Sequence, residues 1–161
     1  MWALFHLLLP AGTQQAIKVN GEEHCNFENL KIGSWNVEGL TDLKEYEVCQ
    51  YMQIHNIDIM YIQEIRKKNS AYYTAHFGFL FVLSGSPGAG CDWNRVGFVL
   101  APRMRRHVQS FLQYSDRLCS LKIKIQGAKF DIICVYVSHN LKPANNKLKF
   151  YEDLSFVMGI L

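Results

Sequence analysis

A close succession of short apolar segments fills most of the chain after residue 29, and this feature limits its fold more than any other. The segments are rich in β-branched and aromatic residues and are separated by glycine, proline or polar residues, a pattern typical of strands. The predicted strands cover residues 30–35, 57–63, 77–85, 95–102, 106–115, 117–127 and 129–138. Gly127 with Ala128 predicts a tight hairpin between the last two strands.

Two helices are predicted around these strands. Thr41 is expected to cap the first helix, because Asp42 and Glu45 follow it in the first turns, where the helix dipole favours negative charge. The second helix is predicted to start with Asn145 or Asn146 as its cap. Its buried face is predicted from apolar residues at helical spacing, Leu148, Tyr151, Leu154 and Met158. The order β-α-β, then hairpin-connected strands, then a helix predicts an α+β fold with a mixed sheet or a sheet sandwich and helices outside.

Composition narrows the class of protein. The chain has 161 residues, 49% hydrophobic and 19% charged, which indicates one globular domain and argues against disorder. The net charge of +3 permits a polyanionic partner without requiring one. The five cysteines are odd in number and form no CxxC pair, which predicts a reducing, intracellular compartment and neither a disulfide framework nor a zinc site. Cys49, Cys119 and Cys134 lie in apolar segments and are expected to be buried.

Residues 1–28 are predicted to precede the domain, which we assign to residues 29–161. The apolar run at residues 1–10 has no basic flank and is too short to span a bilayer. An upstream extension agrees with the intracellular cysteine pattern, and a poor secretory signal is the alternative. No membrane partner is expected.

Polar residues stand at the ends of three predicted strands. They are Asn36 and Glu38 after the first strand, Gln63 and Glu64 after the second, and Tyr136, Ser138 and Asn140 at the last. Taken singly, these groups have simpler explanations, namely a turn, a solvent-facing strand end and a core tyrosine. Because strand ends hold side chains rigidly, the three groups together predict a functional site. Carboxylate and amide oxygens suit Mg²⁺ with retained waters and a substrate phosphate, which predicts metal-assisted phosphoester hydrolysis.

Three of these segments, "LKIGSWNVEGL", "IDIMYIQE" and "IICVYV", resemble the opening half of the endonuclease/exonuclease/phosphatase superfamily, and within it the AP-endonuclease-like branch. The spacing of "VGFVLAP", "SDRLCSLKIKIQGAKFDIICVYVSHN" and "KFYEDL" is most similar to the endonuclease domains of LINE-type (non-LTR) retrotransposons. The resemblance covers about residues 29 to 158 and implies part of a four-layer α/β/β/α sandwich. Secreted DNase-like enzymes and lipid or nucleotide phosphatases are alternatives, and "SWNVEGL" points away from them.

The resemblance also implies roles for individual residues. Glu64 would be the principal ligand of Mg²⁺ or Mn²⁺, and Asn36 would hydrogen-bond an oxygen in the site. Glu38, where the family usually has aspartate, would bind the metal directly or through water, and Tyr136 would contact the scissile phosphate. Further candidates for phosphate or DNA contact are Asn140, Arg117, Arg66 and Lys67.

The Gly-Asp-x-Asn and Ser-Asp-His motifs of the family's second half are absent from this sequence. We therefore expect the chain to correspond to the amino-terminal part of such a domain, truncated at its C-terminal side and catalytically incomplete. Without the other half, apolar residues of the strands at 77–83 and 129–137 are expected to face water.

Two functions follow from these observations. The first is a Mg²⁺-dependent endonuclease that nicks DNA to leave a 3′-hydroxyl and a 5′-phosphate, as the resemblance implies. It would act in the nucleus, with the missing half of the domain or a fused reverse transcriptase as partner. The second is a non-catalytic remnant that binds nucleic acid through salt-dependent phosphate contacts. Its basic residues would be Arg66, Lys67, Lys68, Arg103, Arg105 and Arg106.

Overall fold

The structure is a computed structural model that describes residues 30–67, 69–85, 95–115, 117–136 and 144–160. Its strands and helices are, in chain order, β1 (Ile32–Asn36), α1 (Asp42–His55), β2 (Ile59–Gln63), β3 (Ala71–Thr74), β4 (Leu80–Leu83), β5 (Val96–Leu100), β6 (Val108–Gln113), β7 (Leu118–Ile125), β8 (Ala128–Val135) and α2 (Ala144–Ile160). Short 3-10 helices lie at His76–Gly78 and Pro102–His107. The predicted α+β class is confirmed.

The first sheet has five strands in the order β1-β2-β5-β4-β3. β1 and β2 are parallel and the other pairs are antiparallel. β3 was not predicted from the sequence, and the strand predicted at 77–85 is shorter than expected. Phe77 and Gly78 have φ angles of 56° and 78°. These left-handed conformations turn the chain before β4 and prevent an extended strand there.

The second sheet is an antiparallel meander in the order β6-β7-β8. The predicted hairpin between β7 and β8 is confirmed, but its turn lies one residue earlier. Ile125 pairs with Ala128 across the turn residues Gln126 and Gly127, which have φ angles of 51° and 86°. Two successive left-handed residues match the right-handed twist of the flanking strands.

The two sheets pack face to face and share one core. β5 packs against β7 and β8. The rings of Tyr61 and Phe98 lie 5.2 Å apart, and Phe98 meets Phe111 of β6 edge-to-face at 6.2 Å. β4 and residues 132–136 are buried, so the expectation that apolar residues of 77–83 and 129–137 face water is wrong for these strands. Among the described residues it holds only for Phe77, which is 48% exposed. The physical reason is that this chain contributes strands to both sheets, and each covers the other.

α1 packs on the core through Val48, Cys49 and Met52, all of which are fully buried. Thr41 is its N-cap, as predicted, and its Oγ1 accepts a hydrogen bond from the Lys44 amide at 3.2 Å. The prediction that Cys49, Cys119 and Cys134 are buried free thiols is also confirmed.

α2 corrects the sequence analysis in two respects. It begins at Ala144, directly after Pro143, so Asn145 and Asn146 lie in its first turn and do not cap it. Its inner face carries Val157, which is buried, and Leu154, and both pack with Leu118, Ile133 and Val135. Leu148 and Tyr151, predicted to be buried, are 62% and 55% exposed, and the side chain of Met158 lies outside the described part. No helix among the described residues is long and apolar enough to cross a membrane.

Candidate active site

The parallel strands β1 and β2 end side by side, with Asn36 opposite Gln63. Their pairing continues into the following loops, where the Gly39 amide donates to the Glu64 carbonyl oxygen at 2.8 Å. The simpler explanation of Gln63 as a solvent-facing strand end is wrong. Gln63 is 4% exposed and donates through Nε2 to Ser34 Oγ at 2.9 Å. The two strand ends are therefore held together by both backbone and side-chain contacts.

The Glu64 carboxylate is the centre of a cluster formed by three of these strand ends. Its Oε1 accepts hydrogen bonds from Asn36 Nδ2 at 2.9 Å and from the Tyr136 hydroxyl at 2.7 Å. Its Oε2 lies 3.4 Å from a guanidinium nitrogen of Arg66. Asn36 and Glu64 come from the first sheet, and Tyr136 follows β8 of the second sheet. The structure thus brings together the three residues that the sequence predicts as catalytic.

The charges of this cluster follow from its hydrogen bonds. The Tyr136 hydroxyl lowers the pKa of Glu64, burial opposes this effect, and Asn36 and Arg66 lower the pKa further. Burial, together with the hydrogen bond to Glu64 and its charge, raises the pKa of Tyr136 to about 12. At neutral pH, Glu64 is therefore ionised and Tyr136 is a neutral hydrogen-bond donor.

The backbone around the cluster is strained. Glu38, Glu64 and Arg66 have φ angles of 51°, 55° and 57°, a left-handed region that costs a non-glycine residue roughly 1–2 kcal/mol. Such conformations persist where the surrounding structure fixes them, and they are concentrated at functional sites. Three of them in two adjoining loops indicate that these loops hold the Glu64 carboxylate in a defined position.

Arg95 fixes the loop that carries Glu64, although the sequence analysis did not identify it. Its side chain is fully buried at 1% exposure, and its guanidinium donates to the Lys67 carbonyl oxygen. The Ile65 amide donates to the Arg95 carbonyl oxygen at 3.2 Å. The signal that could have identified this residue is a lone cation at the start of a strand that is otherwise apolar, "RVGFVLAP".

A second carboxylate anchors the same loop to α1. Glu45 is 6% exposed and accepts hydrogen bonds from Lys67 Nζ and from the Tyr73 hydroxyl, the latter at 2.5 Å. Lys67 Nζ also lies 3.2 Å from the Tyr73 hydroxyl oxygen. Burial and the hydrogen bond to Glu45 raise the pKa of Tyr73. Lys67, predicted as a DNA contact, is therefore directed to α1 and away from the Glu64 cluster.

The remaining predicted site residues are Glu38, Arg117 and Asn140. The Glu38 side chain is exposed, and its backbone amide donates to Asn36 Oδ1 at 3.3 Å. The Arg117 carbonyl oxygen accepts from the Tyr136 amide at 3.0 Å, and the positive charge of Arg117 lowers the pKa of Tyr136. Asn140 is outside the described residues. Arg66 and Arg117 thus both place positive charge close enough to act on Tyr136.

The oxygen ligands of the cluster fit a hard divalent cation. In the described ranges, no group of three or more His, Cys, Asp or Glu side chains is close enough to hold a metal ion. Mg²⁺ is usually bound by one or two carboxylates, retained waters and substrate phosphates, whereas Zn²⁺ takes three or four protein ligands. The Glu64 carboxylate is an oxygen ligand of the type that Mg²⁺ takes.

Comparison with known proteins gives distant relatives. The chain is 25% identical over 150 residues to craniofacial development protein 2 of Bos taurus, covering 91% of this chain and 25% of that protein. It is 24% identical over 158 residues to craniofacial development protein 2 of Tragulus javanicus, covering 94% of this chain and 27% of that protein. No protein-family profile matches the chain, and no solved structure matches it. The chain thus spans about a quarter of the length of these curated relatives.

Proposed function

We propose that the chain carries part of the active site of a Mg²⁺-dependent endonuclease that nicks DNA, of the endonuclease/exonuclease/phosphatase type. The observation that supports this most is the ionised Glu64 carboxylate, shared between Asn36 and Tyr136 where strand ends of two sheets meet. The succession of α1, the first sheet, the second sheet and α2 supports the further proposal of a partial four-layer α/β/β/α sandwich.

Each residue of the cluster has a role in this proposal. Glu64, with Glu38, would hold Mg²⁺, and when bound the ion would neutralise charge on the scissile phosphate. Asn36 fixes the orientation of the Glu64 carboxylate through its 2.9 Å hydrogen bond. Tyr136 stays protonated because its pKa is raised, and its hydroxyl proton, which is donated to Glu64 in this structure, would turn to a phosphate oxygen when substrate binds. Arg66 and Arg117 favour the anionic substrate through their positive charge.

The proposed reaction is hydrolysis of one phosphodiester bond. The oxygen of a water molecule forms a new bond to phosphorus, the bond from phosphorus to the 3′ oxygen breaks, and that oxygen takes up a proton. The products are a 3′-hydroxyl and a 5′-phosphate. None of the described residues beside Glu64 is an obvious general base, which agrees with the missing Gly-Asp-x-Asn and Ser-Asp-His motifs. We therefore expect slow nicking by this chain alone, and we propose the nucleus as its place of action.

A supercoiled-plasmid nicking assay tests the proposal. Purified residues 1–161 are incubated with plasmid in Mg²⁺ or in EDTA, beside the Glu64→Gln variant. Glu47→Gln is the matched control, because Glu47 is a partly exposed α1 carboxylate paired with Lys44. We expect slow Mg²⁺-dependent nicking by the wild type and by the control, and none by Glu64→Gln. Nicking that persists in Glu64→Gln, or that needs no Mg²⁺, contradicts the proposal.

A non-catalytic nucleic-acid-binding fragment is the second candidate function. The observation in its favour is a group of exposed basic side chains remote from Glu64, described in the next subsection. Folded wild-type protein that binds DNA without nicking it would support this candidate over the first.

A further inference from the structure

The far end of the second sheet carries a basic surface that plays no part in the Glu64 cluster. At one end of this sheet, Leu118 pairs with Val135, next to Arg117 and Tyr136. At the other end, Ile125 pairs with Ala128 at the hairpin turn. Seven residue steps separate the two ends, which at about 3.3 Å per residue is roughly 23 Å. The hairpin end is therefore well separated from the candidate active site.

The outer face of β7 and β8 changes character along its length. Near the active-site end it carries Leu118, Ile133 and Val135, which pack with Val157 of α2. Toward the hairpin, the same face carries charged side chains in cross-strand pairs. These pairs are Lys122 opposite Asp131 and Lys124 opposite Lys129.

The 3-10 helix Pro102–His107 adds to this charge. His107 Nδ1 lies 2.9 Å from the Lys124 carbonyl oxygen, and the helix leads into Val108, which pairs with Ile123. Arg105 and Arg106 are exposed on this helix. We call the set formed by Arg105, Arg106, Lys122, Lys124 and Lys129 the hairpin-end surface. Its acidic residue in the described strands is Asp131, 3.3 Å from Lys122 Nζ.

Arg103, on the same 3-10 helix, has a different role. Its Nε donates at 2.6 Å to Oδ1 of Asp58, a carboxylate that is 1% exposed. The backbone amide of Lys31 donates to the other oxygen of Asp58 at 3.0 Å. Arg103 therefore neutralises a buried carboxylate, and we assign it to the stability of the fold and not to the binding of nucleic acid.

The arrangement of the hairpin-end surface is not explained by stability or by edge protection. Like charges directly opposite each other in a sheet are destabilising by a few tenths of a kcal/mol or more, and Lys124 faces Lys129 in this way. Lysines often protect the exposed edge of a sheet, which would account for Lys129 on the edge strand β8. Lys124 lies on the central strand β7, so edge protection does not account for it.

We infer that the hairpin-end surface binds the phosphate backbone of a nucleic acid, independently of the Glu64 site. Arginine forks and flexible lysines are the side chains that bind phosphate without reading sequence. None of the five positions is apolar, so the surface offers no anchor of the kind that protein interfaces and membrane insertion use. A nucleic acid held here would be kept on the protein while the Glu64 end remains accessible.

Fluorescence anisotropy tests this inference with the full chain and a short labelled DNA duplex of mixed sequence, in EDTA and over a series of NaCl concentrations. The variants are Lys124→Gln with Lys129→Gln, and Arg105→Gln with Arg106→Gln. The matched control is Lys31→Gln with Lys44→Gln, which removes the same charge from other parts of the surface. Each hairpin-end variant should weaken binding several-fold and reduce the slope of log K against log salt by about 2, because each lost phosphate contact contributes about 0.9. The control should leave the slope unchanged.

Three further outcomes are informative. The inference is wrong if the control lowers the slope as much as the hairpin-end variants, or if the wild type does not bind. The inference is also wrong if poly-glutamate or vesicles containing phosphatidylserine compete for the surface better than the duplex does.

Mn²⁺ binding separates this inference from the proposed function, because Glu64→Gln should abolish Mn²⁺ binding without changing duplex affinity in EDTA. The hairpin-end variants should bind Mn²⁺ as the wild type does but bind the duplex more weakly. Thermal unfolding of these variants verifies that they are folded.

Discussion

Two carboxylates in this protein have the same kinds of partner, and they differ in how far those partners enclose them. Glu45, in the first turn of α1, accepts from the hydroxyl of Tyr73 and contacts Lys67 directly, and it is almost completely buried. Glu64 accepts from the hydroxyl of Tyr136, but its cation lies 3.4 Å away and its side chain is 16% exposed. In the Glu45 cluster, a carboxylate, a tyrosine and a cation close on one another and stabilise the fold. We propose that the same groups, left open at Glu64, receive a ligand.

One loop connects the two clusters. Arg66 and Lys67 are neighbours in the chain, yet Arg66 faces Glu64 and Lys67 faces Glu45. The positive φ of Arg66 permits this change of direction. Arg95 also holds the Lys67 carbonyl oxygen. The contacts of Lys67 with Glu45 and Arg95 therefore fix the loop that carries Glu64.

The largest expected effect is on divalent-ion binding in Glu64→Gln. Loss of the carboxylate should weaken Mn²⁺ binding at least a hundredfold, about 2.7 kcal/mol, because Glu64 is the principal ligand in the proposal and only Glu38 would remain. The free energy of unfolding should change by less than about 1 kcal/mol, since glutamine keeps the shape and its single oxygen can still accept from Asn36 and Tyr136, so only the 3.4 Å contact with Arg66 is lost. Titration of free Mn²⁺ by electron paramagnetic resonance, with urea unfolding in parallel, measures both quantities. An unfolding change larger than the loss of binding would make Glu64 a structural residue like Glu45.

Lys67→Met should have the opposite effects: a large loss of stability and little change in Mn²⁺ binding. It leaves Glu45 buried without its cation, and breaking a buried ion pair costs about 3–5 kcal/mol. Because the Lys67 side chain is 34% exposed, solvent screening should reduce this loss to about 2–3 kcal/mol of unfolding free energy. Mn²⁺ affinity should change less than about threefold, or well under 1 kcal/mol, since Arg95 still holds the loop. Urea unfolding measures the first effect, with Lys44→Met as the control because Lys44 forms an exposed pair with Glu47. Equal stability of the two variants would contradict the structural role of Lys67.

Tyr136→Phe should change the pH dependence of the open cluster. The Tyr136 hydroxyl is the main cause of the lowered pKa of Glu64, so its removal should raise that pKa toward the ordinary value of about 4.3. A carboxyl whose pKa is lowered by folding stabilises the protein above its unfolded pKa, and this stabilisation is lost as pH falls through the folded pKa. The variant should therefore lose less stability than the wild type on acidification below about pH 4. Carbon-13 NMR of the glutamate carboxyls across pH measures the shift, and an unchanged Glu64 titration would show that the hydroxyl is not its main partner.

The smallest effect is expected from Arg66→Gln. An ion pair this long and this exposed contributes about 0.2–1 kcal/mol, so the free energy of unfolding should fall by no more than that. Without the competing cation, Mn²⁺ should bind Glu64 slightly more tightly, by about twofold or 0.4 kcal/mol. Binding weakened tenfold would mean that Arg66 positions the carboxylate and does not compete for it.

Sequence patterns were sufficient for the features that depend on neighbouring residues. The longer strands, the Thr41 cap and the β7–β8 hairpin follow from alternation, helix-cap chemistry and turn residues. Asn36, Glu64 and Tyr136 were identifiable because polar residues end three apolar strands. The four-residue strand β3 was too short to show a clear period, and the left-handed Phe77 breaks a run whose composition is that of a strand.

The features that escaped prediction depend on contacts between distant parts of the chain. Glu45 and Lys67 are 22 residues apart, and Arg95 and Lys67 are 28 apart, so no local pattern connects them. Leu148 and Tyr151 are exposed, whereas the predicted Leu154 does pack against β7 and β8, together with Val157, which was not predicted. Closure of the core by the second sheet was likewise missed, since pairing order is not encoded within any one strand.

The most direct test of the account follows the glutamate carboxyl carbons by NMR while Mg²⁺ is added to the folded protein. Glu64→Gln and Glu45→Gln serve to assign the two resonances. We expect the Glu64 resonance to shift saturably with Mg²⁺, while the resonance of Glu45, whose carboxylate is enclosed by Lys67 and Tyr73, does not move. A Glu64 resonance that stays in place, or a Glu45 resonance that shifts equally, would contradict the distinction between an open, ligand-binding carboxylate and an enclosed, structural one.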